Sequence, residues 1–216
     1  MDITYLGHSS FKLKGKAATV VTDPYDPKMV GLKYAKVSAD IVTISHDHND
    51  HNFVSQVLDF KKVIQGPGEY EISGVSIIGF SSYHDETKGK DRGRNTIYVI
   101  EIDNIRAVHL GDLGHKLSED VIEEIGTVDI LLIPVGGVYT IDPDTAAEVV
   151  RAIEPSITIP MHYYIEGMDE NTFGKLAKVD AFVTEIGLSV ERLEKLSIKK
   201  SEIGEEQKII VLERKI

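Results

Sequence analysis

Short runs of β-branched residues dominate the first half of the chain, and they predict a β-sheet. The runs are ITYLG, FKLKG, ATVVTD, DIVTIS, KKVIQG, VSIIGF and NTIYVIEI, most of them bounded by Gly, Asp or Pro. Helical periodicity occurs in NFVSQVLDF, SEDVIEEIG and DPDTAAEVVRAIE, and the last two begin with residues that favour a helix N-terminus. Because strands and helices alternate through the middle of the chain, the pattern favours an α/β architecture.

Three apolar runs share one form, and each ends in a polar or flexible residue. DIVTIS precedes His46, DILLIP leads into Gly136, and ITIPM precedes His162. Such runs are typical of strands that are buried on both faces. Since ligands of α/β proteins collect beyond the carboxyl ends of their strands, we expect these three ends to meet at one site.

Length and composition limit the classes of function. The 216 residues contain no Pro-, Gly- or Ser-rich linker, which indicates a single domain over residues 1–216. The net charge of -11 argues against nucleic acid and acidic membranes as general partners, although a local basic patch is compatible with it. The chain has no cysteine, so disulfides, thiolate ligands and a cysteine nucleophile are excluded.

The chain shows no sequence sign of export or membrane insertion. It starts with MDITYLGHSS, which lacks a basic and then apolar leader. Its longest apolar stretch, ILLIPVGGVY, has about half the length of a spanning helix and is broken by Pro134. We therefore expect a cytoplasmic protein without a membrane partner that acts on a small molecule. The sequence leaves its oligomeric state open, a homo-oligomer included.

The stretch VTISHDHNDH, at residues 42–51, places three of the eight histidines within six positions. On a helix, His46 and His48 would point to different sides, so they must lie in a strand or a tight turn. A turn after a buried strand can aim both rings at one point, while Asp50 and His51 diverge toward a second point. Two metal ions would use both directions. A solvated polar loop is the alternative, and the full pattern favours metal binding.

The segment SHDHNDH resembles the Thr/Ser-His-x-His-x-Asp-His signature of the metallo-β-lactamase superfamily, and the resemblance covers essentially the whole chain. It implies an αββα sandwich of two mixed sheets flanked by helices. The stretches LGHSSF, TDPY, RGRNTIYVIE, HLGDLGH and PVGGVYTIDPDTAAEVV are similar to a small branch related to ascorbate-6-phosphate lactonase and grouped as predicted metal-dependent hydrolases. Many members of that branch have no assigned substrate.

The resemblance also implies a set of metal ligands, because three further family residues match this chain in the expected order. The set comprises His46, His48 and His84 for one ion, Asp50, His51 and His162 for the other, and Asp112 as the bridge. Imidazole and carboxylate suit zinc, which is the first choice of metal. Manganese and iron are alternative metals, because the chain has no cysteine thiolate that would favour zinc at the second site.

Several other residues are candidates for supporting the metals or contacting substrate. Asp23 ends a β-branched run and could accept the second N–H of a metal-bound imidazole. The resemblance places His8 near the metals, although a structural histidine fits equally well. His109 is expected to alternate into the core beside Asp112, without a ligand role. The candidates are His8, Asp23, Arg92, Asn95, His115 and Tyr139.

Two loops could border the site. HDETKGKDRGRN, at residues 84–95, carries two glycines for mobility and four basic residues, Lys88, Lys90, Arg92 and Arg94. It is either a solvated hairpin tip or a lid that meets an anionic substrate. VGGVYT has no lysine in phosphate-loop spacing, so it is interpreted as an active-site wall that offers Tyr139.

The sequence thus predicts a binuclear metal-dependent hydrolase that cleaves a small, anionic ester, lactone or phosphodiester with a metal-bridging hydroxide. Asp50 would bind metal, orient the nucleophile and accept its proton. Solvent, His115 or Tyr139 would protonate the leaving group. The alternatives are a nuclease, which the net charge disfavours, a phospholipase-like phosphodiesterase, and a non-catalytic metal-binding or sensing protein.

Overall fold

The computed structural model describes residues 1–216 as two facing β-sheets with a few helices outside them. The strands are β1 (Asp2–Gly7), β2 (Ser10–Lys14), β3 (Thr19–Thr22), β4 (Val37–Ser38), β5 (Ile41–Ile44), β6 (Val57–Leu58), β7 (Lys62–Gln65), β8 (Gly68–Ile72), β9 (Val75–Tyr83), β10 (Arg94–Ile102), β11 (Ile105–His109), β12 (Ile130–Pro134), β13 (Ile157–Met161), β14 (Ser189–Leu193), β15 (Leu196–Ser197) and β16 (Lys208–Leu212). The helices are α1 (Pro27–Val30), α2 (Glu119–Ile125), α3 (Pro143–Ile153), α4 (Glu170–Phe173) and α5 (Val179–Ile186), with 3₁₀ turns at Val54–Gln56 and Lys200–Glu202. None of the helices has the length and apolar character needed to span a membrane.

Both large sheets are mixed, as the sequence predicted. The six-stranded sheet has the order β15-β1-β2-β3-β5-β7, and the eight-stranded sheet has the order β14-β16-β13-β12-β11-β10-β9-β8. Parallel pairing joins β3, β5 and β7 in the first sheet and β11, β12, β13, β16 and β14 in the second. A small parallel pair, β4 and β6, stands apart.

The six-stranded sheet buries both of its faces. Successive residues of a strand point to opposite faces, so Val20 and Ile41 join the main core between the sheets, while Val21 and Val42 point outward. The outward residues pack in a separate cluster that includes Val57 of β6. The β4–β6 pair therefore covers this outer face, where a regular αββα sandwich would carry long helices.

The eight-stranded sheet has a wholly buried centre, and this confirms the prediction from the apolar runs. Every residue of β12 and β13 is buried. Helices α3 and α5 pack together and contribute their buried faces to the same core. Helix α3 begins as predicted, because Asp142 accepts a hydrogen bond from the Thr145 backbone N–H and Pro143 follows it.

The predicted helix at NFVSQVLDF is wrong. The segment forms a single 3₁₀ turn at Val54–Gln56 and then the short strand β6. Val57 is the only buried residue of this segment, and it pairs with Val37 of β4. Tertiary packing against the outer face of the sheet thus overrides the weak helical periodicity.

The polar residues singled out from the sequence follow strands at one end of the sandwich. His8 follows β1, Asp23 follows β3, residues 45–51 follow β5, His84 follows β9, Asp112 lies three residues after β11, and His162 follows β13. Strands β1, β3 and β5 run in one direction, and so do β9, β11 and β13. Backbone hydrogen bonds from His162 to His8 (2.9 Å) and from Thr96 to Ser45 (2.9 Å) join the two sheets there.

Candidate metal centre

The predicted ligands form two neighbouring groups of donor atoms. One group is His46, His48 and His84, whose donors all lie within 4.8 Å of one another. The other group meets the same limit and contains Asp50, His51 and His162. These are the two sets that the family resemblance implied. The second group also includes His8, which the sequence placed only in a supporting role.

Asp112 lies between the two groups. Its Oδ2 atom is 3.2 Å from the Nε2 atoms of His51, His84 and His162. The Nε2 atom of His46 is 3.9 Å from the same oxygen. One carboxylate oxygen therefore reaches residues of both groups, and this position suits the bridging role implied for Asp112.

Hydrogen bonds behind the cluster place the ring proton of His46 and of His51 on Nδ1. The Ser45 hydroxyl donates to Oδ2 of Asp23 (2.5 Å), so it must accept from Nδ1 of His46 (2.9 Å). Nδ1 of His51 donates to the same Asp23 oxygen (2.9 Å). Asp23 thereby holds both imidazoles with the proton on Nδ1. Their Nε2 lone pairs are left for a metal, as the sequence predicted for a carboxylate behind the ligands.

The cluster passes a chemical test of fit for metal ions. The buried Nε2 atoms of His46, His51 and His162 make no well-aligned hydrogen bond, although two of them lie 3.2 Å from Oδ2 of Asp112, and Oδ1 of Asp112 also has no partner. A buried polar atom without a partner costs about 1–3 kcal/mol, so four of them in one place require another source of stabilisation. Imidazole nitrogen and carboxylate oxygen are suitable ligands for a divalent ion such as zinc.

The charges of the cluster also favour a cation. Burial by itself would raise the pKa of Asp112, but His162 and His51 lower it well below the usual value. Burial opposes protonation of His51, yet Asp112 and Asp50 hold the pKa of His51 well above its usual value. The carboxylates therefore attract positive charge to the nitrogens. A metal ion supplies that charge and competes with the proton for the same lone pairs.

His8 is tied directly to a predicted ligand. Its ring is completely buried, and burial together with His162 lowers its pKa to about 4. The neutral ring places Nε2 3.1 Å from Oδ2 of Asp50, where it can donate a hydrogen bond. His8 thus orients the Asp50 carboxylate, and it does more than line a wall.

Three of these residues adopt left-handed backbone conformations, which are uncommon outside glycine. The φ angles are 55° at His8, 39° at Asp23 and 51° at His162. Such conformations cost on the order of 1–3 kcal/mol each and cluster at functional sites. Each of the three directly follows a strand, so the unusual φ turns its side chain from the sheet toward the cluster.

Asn95 and His109 both support the loop that carries Asp112. The Asn95 Oδ1 atom accepts from the backbone N–H of Asp112 (3.0 Å), and its Nδ2 donates to the Leu110 carbonyl (2.8 Å). His109 uses both ring nitrogens, since Nε2 donates to the Ser9 carbonyl and Nδ1 accepts from the Gly111 N–H. Asn95 is therefore a buried support, and His109 has no nitrogen free for a metal.

A cleft of about 480 Å³ opens over the two groups of donors. Arg92 and Tyr139 line it, as expected of substrate-contacting candidates. His115 does not line it, because its ring bonds to the Lys116 carbonyl and the Tyr83 N–H. The lining residues are Met29, Asp47, His48, Asn49, Asp50, His84, Asp91, Arg92, Asp112, Tyr139, Thr172 and Phe173.

The four cations of the basic loop do not share one position. Of its four cations only Arg92 lines this cleft, and Asp91 beside it also lines the cleft. Lys88 and Lys90 are exposed and lie outside it. The lid alternative therefore fits Arg92, whereas the hairpin-tip alternative fits Lys88 and Lys90. Sequence alone does not show which side of a hairpin tip each residue occupies.

Sequence reasoning missed some residues of the site. Ser45 links Asp23 to His46, and its place directly before the histidine motif was a usable signal. Met29 and Phe173 line the cleft from α1 and α4, which have four residues each. Helices of four residues show no periodicity, so the local sequence shows no sign that Met29 and Phe173 would line the cleft.

A carboxylate-anchored histidine cluster at one end of a sandwich of two mixed sheets defines a class of metal-dependent enzymes. The family model described as "Beta-lactamase superfamily domain" matches residues 2–162. The chain therefore belongs to the metallo-β-lactamase superfamily, and within it the chain is a metal-dependent hydrolase. This confirms the family, the fold and the enzyme class predicted from the sequence.

Individual relatives support the same assignment. The chain is 31% identical over 186 residues to a UPF0173 metal-dependent hydrolase of Methanoculleus marisnigri, with coverage of 76% of this chain and 81% of the relative. It is 28% identical over 195 residues to another from Thermococcus onnurineus, with coverage of 76% and 84%. A crystal structure of a candidate Zn-dependent hydrolase from Thermotoga maritima is 39% identical, covers 99% of both chains and has a TM-score of 0.80. The kinship with ascorbate-6-phosphate lactonase stays a prediction.

Asp23→Asn should lower the affinity for zinc by about 10- to 100-fold. One carboxylate oxygen accepts from the Ser45 backbone N–H and the other from the Ser45 hydroxyl and His51, and the amide replaces one of these oxygens with an NH2 donor. A competition titration with a chromophoric chelator would measure the affinity. Asp40→Asn is the matched control, since Asp40 accepts from Thr19 N and Lys61 on the same sheet but away from the cluster. Equal zinc affinity in both variants would contradict the role given to Asp23.

Proposed function

We propose that the chain is a binuclear hydrolase, a single domain over residues 1–216, that cleaves a small ester, lactone or phosphodiester. The observation that carries this proposal is the pair of donor groups with the Asp112 carboxylate between them. The ligands would be His46, His48 and His84 in one site, Asp50, His51 and His162 in the other, and Asp112 in both. Zinc suits these ligands best, and manganese or iron would also fit them.

Two bound divalent ions would make a water molecule acidic enough to attack near neutral pH and would polarise the substrate. The chain's own residues supply orientation and proton transfer. Asp50 lines the cleft, and His8 holds one of its oxygens at 3.1 Å. The other oxygen is available to bind, to orient the attacking water and to accept its proton. Asp50 is therefore the proposed general base.

The leaving group would take its proton from solvent or from Tyr139. The Tyr139 side chain lines the cleft, and its hydroxyl donates to the Thr172 carbonyl at 2.8 Å. That hydroxyl would have to turn toward the substrate in order to act as an acid. His115 is a weaker candidate, because it lies outside the cleft and both of its ring nitrogens are engaged.

The charges at the cleft favour a small substrate over nucleic acid. Asp47 and Asp91 line the opening together with one cation, Arg92. A polyanionic backbone would meet both carboxylates, and the chain as a whole carries a net charge of -11. A metal-binding sensor without turnover is also disfavoured, since the cleft gives a small molecule direct access to His48, His84 and Asp50.

The purified protein, reloaded with zinc, should contain about two ions per chain, because the two groups supply three ligands each plus a bridge. Elemental analysis would measure the content. His84→Ala should lose about one ion per chain, whereas His115→Ala should keep both. One ion or none in the unmodified protein would refute the binuclear proposal. Protein that contains two zinc ions per chain should also release p-nitrophenol from p-nitrophenyl carboxylic esters or phosphodiesters, and this release should depend on zinc.

A further inference from the structure

A second groove adjoins the cleft and shares His48 with it. It has a volume of about 330 Å³, and its lining includes His46, Asp47, His48, Pro67, Arg92 and Arg94. Pro67 is its only apolar residue. The cleft and the second groove share three lining residues, Asp47, His48 and Arg92. They are therefore continuous over the candidate metal centre. A substrate with its reacting bond at the centre can therefore extend to either side.

The two sides differ in chemistry. The first cleft presents the apolar surfaces of Met29 and Phe173. The second groove is lined by two arginines, Arg94 and Arg92, and Arg92 lies where the groove meets the first cleft. Neither arginine forms an ion pair, although the chain has 35 acidic residues against 24 Lys and Arg. Two arginines without carboxylate partners beside a catalytic centre suit an anionic group, since a guanidinium offers paired donors to phosphate or carboxylate oxygens.

Arg92 is held in place at its side chain. Its Nη2 atom donates to the Val138 carbonyl at 3.0 Å, and its guanidinium lies 5.6 Å from the centre of the Tyr139 ring. An ordinary exposed arginine loses much side-chain freedom when it binds a ligand. Arg92 has already lost much of that freedom, so its contact with an anion would cost less.

The backbone around Arg92 is also fixed, and Asp85 fixes it. The buried Asp85 carboxylate accepts hydrogen bonds from the backbone N–H groups of Thr87 (2.9 Å), Gly89 (2.8 Å), Asp91 (3.1 Å) and Arg92 (2.8 Å). Asp85 directly follows the predicted ligand His84. The loop is therefore a rigid extension of the metal centre.

We propose that Arg92 and Arg94 form an anion-binding subsite in the second groove, which rests on the hydrolase function proposed above. The substrate is then an ester or phosphodiester with one anionic group on the Arg94 side and an uncharged group against Met29 and Phe173. Asp47 limits the anion to a single group, because its carboxylate, held by Asn52 at 2.7 Å, borders the same groove.

The test compares two esters of similar length on the zinc-loaded protein, p-nitrophenyl succinate with a free carboxylate and p-nitrophenyl butyrate without a charge. The double variant Arg92→Gln/Arg94→Gln should lower kcat/KM for the succinate relative to the butyrate by about tenfold or more, through KM. The salt dependence of succinate hydrolysis should flatten. The control Lys88→Gln/Lys90→Gln removes the same charge from the same loop at positions outside the cleft and the second groove. It should change the ratio of the two kcat/KM values, succinate over butyrate, by less than about twofold.

A binding measurement separates the subsite from the reaction. Calorimetric titration of the zinc-loaded protein with inorganic phosphate should show about tenfold weaker binding in the arginine variant than in the lysine control. An unchanged ester ratio with unchanged phosphate affinity, or equal effects of the arginine and lysine variants, would overturn the subsite. Weakened phosphate binding without turnover of any ester would support the subsite and count against the proposed hydrolysis of esters.

Discussion

Asp112→Ala should lower kcat by more than about 100-fold, because loss of a bridging ligand should exceed the 10- to 100-fold effect typical of residues behind the ligands. Its Oδ2 atom lies 3.2 Å from three imidazole nitrogens of the two donor groups. Without this carboxylate the imidazoles would lose the charge that draws cations to them. We therefore expect a loss of bound zinc together with the loss of turnover.

His109→Gln is the matched control for Asp112→Ala. His109 lies three residues earlier, is equally buried and contacts the same loop. Glutamine keeps a donor for the Ser9 carbonyl, so this variant should keep both metal ions and lose less than about tenfold in kcat. Elemental analysis and steady-state kinetics on one substrate would compare the two. Similar losses in both variants would show that the loop, and not the Asp112 carboxylate, carries the effect.

The central strands could be predicted because burial on both faces leaves a continuous apolar run. The segments DIVTIS, DILLIP and ITIPM became β5, β12 and β13, all buried. The ends of β12 and β13 lie together because parallel neighbours finish at the same edge of a sheet, whereas β5 belongs to the other sheet and meets them through the packing of the two sheets. The histidine motif after β5 needed only local information, because its residues are neighbours in the chain.

The sequence named Asp23 and His8 as supporting residues but could not say which ligand each one contacts, because these contacts join distant parts of the chain. The hydrogen bond between His8 and Asp50 spans 42 positions, and the bond between Asp23 and His51 spans 28. The order of strands in the sheet sets these distances, because β3 lies directly beside β5 and β1 follows two strands further along.

The basic loop shows a different limit of sequence reasoning. Its four cations are equivalent in the sequence, yet Arg92 and Arg94 face the second groove while Lys88 and Lys90 do not. The glycines suggested a mobile loop, but the backbone N–H groups of Gly89 and Arg92 donate to the Asp85 carboxylate and hold the loop in one conformation. A buried acid next to a histidine motif is easily assigned to the metal, and here it shapes a loop instead.

Gly136→Ala should lower the melting temperature by about 4–12 °C. Overpacking of about 1–3 kcal/mol, at the upper slope of about 4 °C per kcal/mol for a chain of this size, gives this range. A methyl group at Gly136 would overlap the backbone carbonyl oxygen of His162 and also crowd Leu176. Backbone cannot rotate aside as a flexible side chain can. Since the Ala177 N–H is bonded to the Gly136 carbonyl at 2.8 Å, Gly136 has little freedom to retreat.

Gly204→Ala is the control for this change, because a methyl group there meets nothing within 4 Å and the backbone needs no left-handed φ. Its stability should stay within about 0.5 kcal/mol of the unmodified protein. Zinc titration separates two consequences of Gly136→Ala. If His162 is displaced, affinity for one of the two ions should fall while the other is retained, since His162 belongs to one donor group only. A lower melting temperature with both zinc affinities intact would show that the strain is absorbed elsewhere. In that case the tight approach of the Val135–Gly136 segment to His162 would serve stability and not the metal centre.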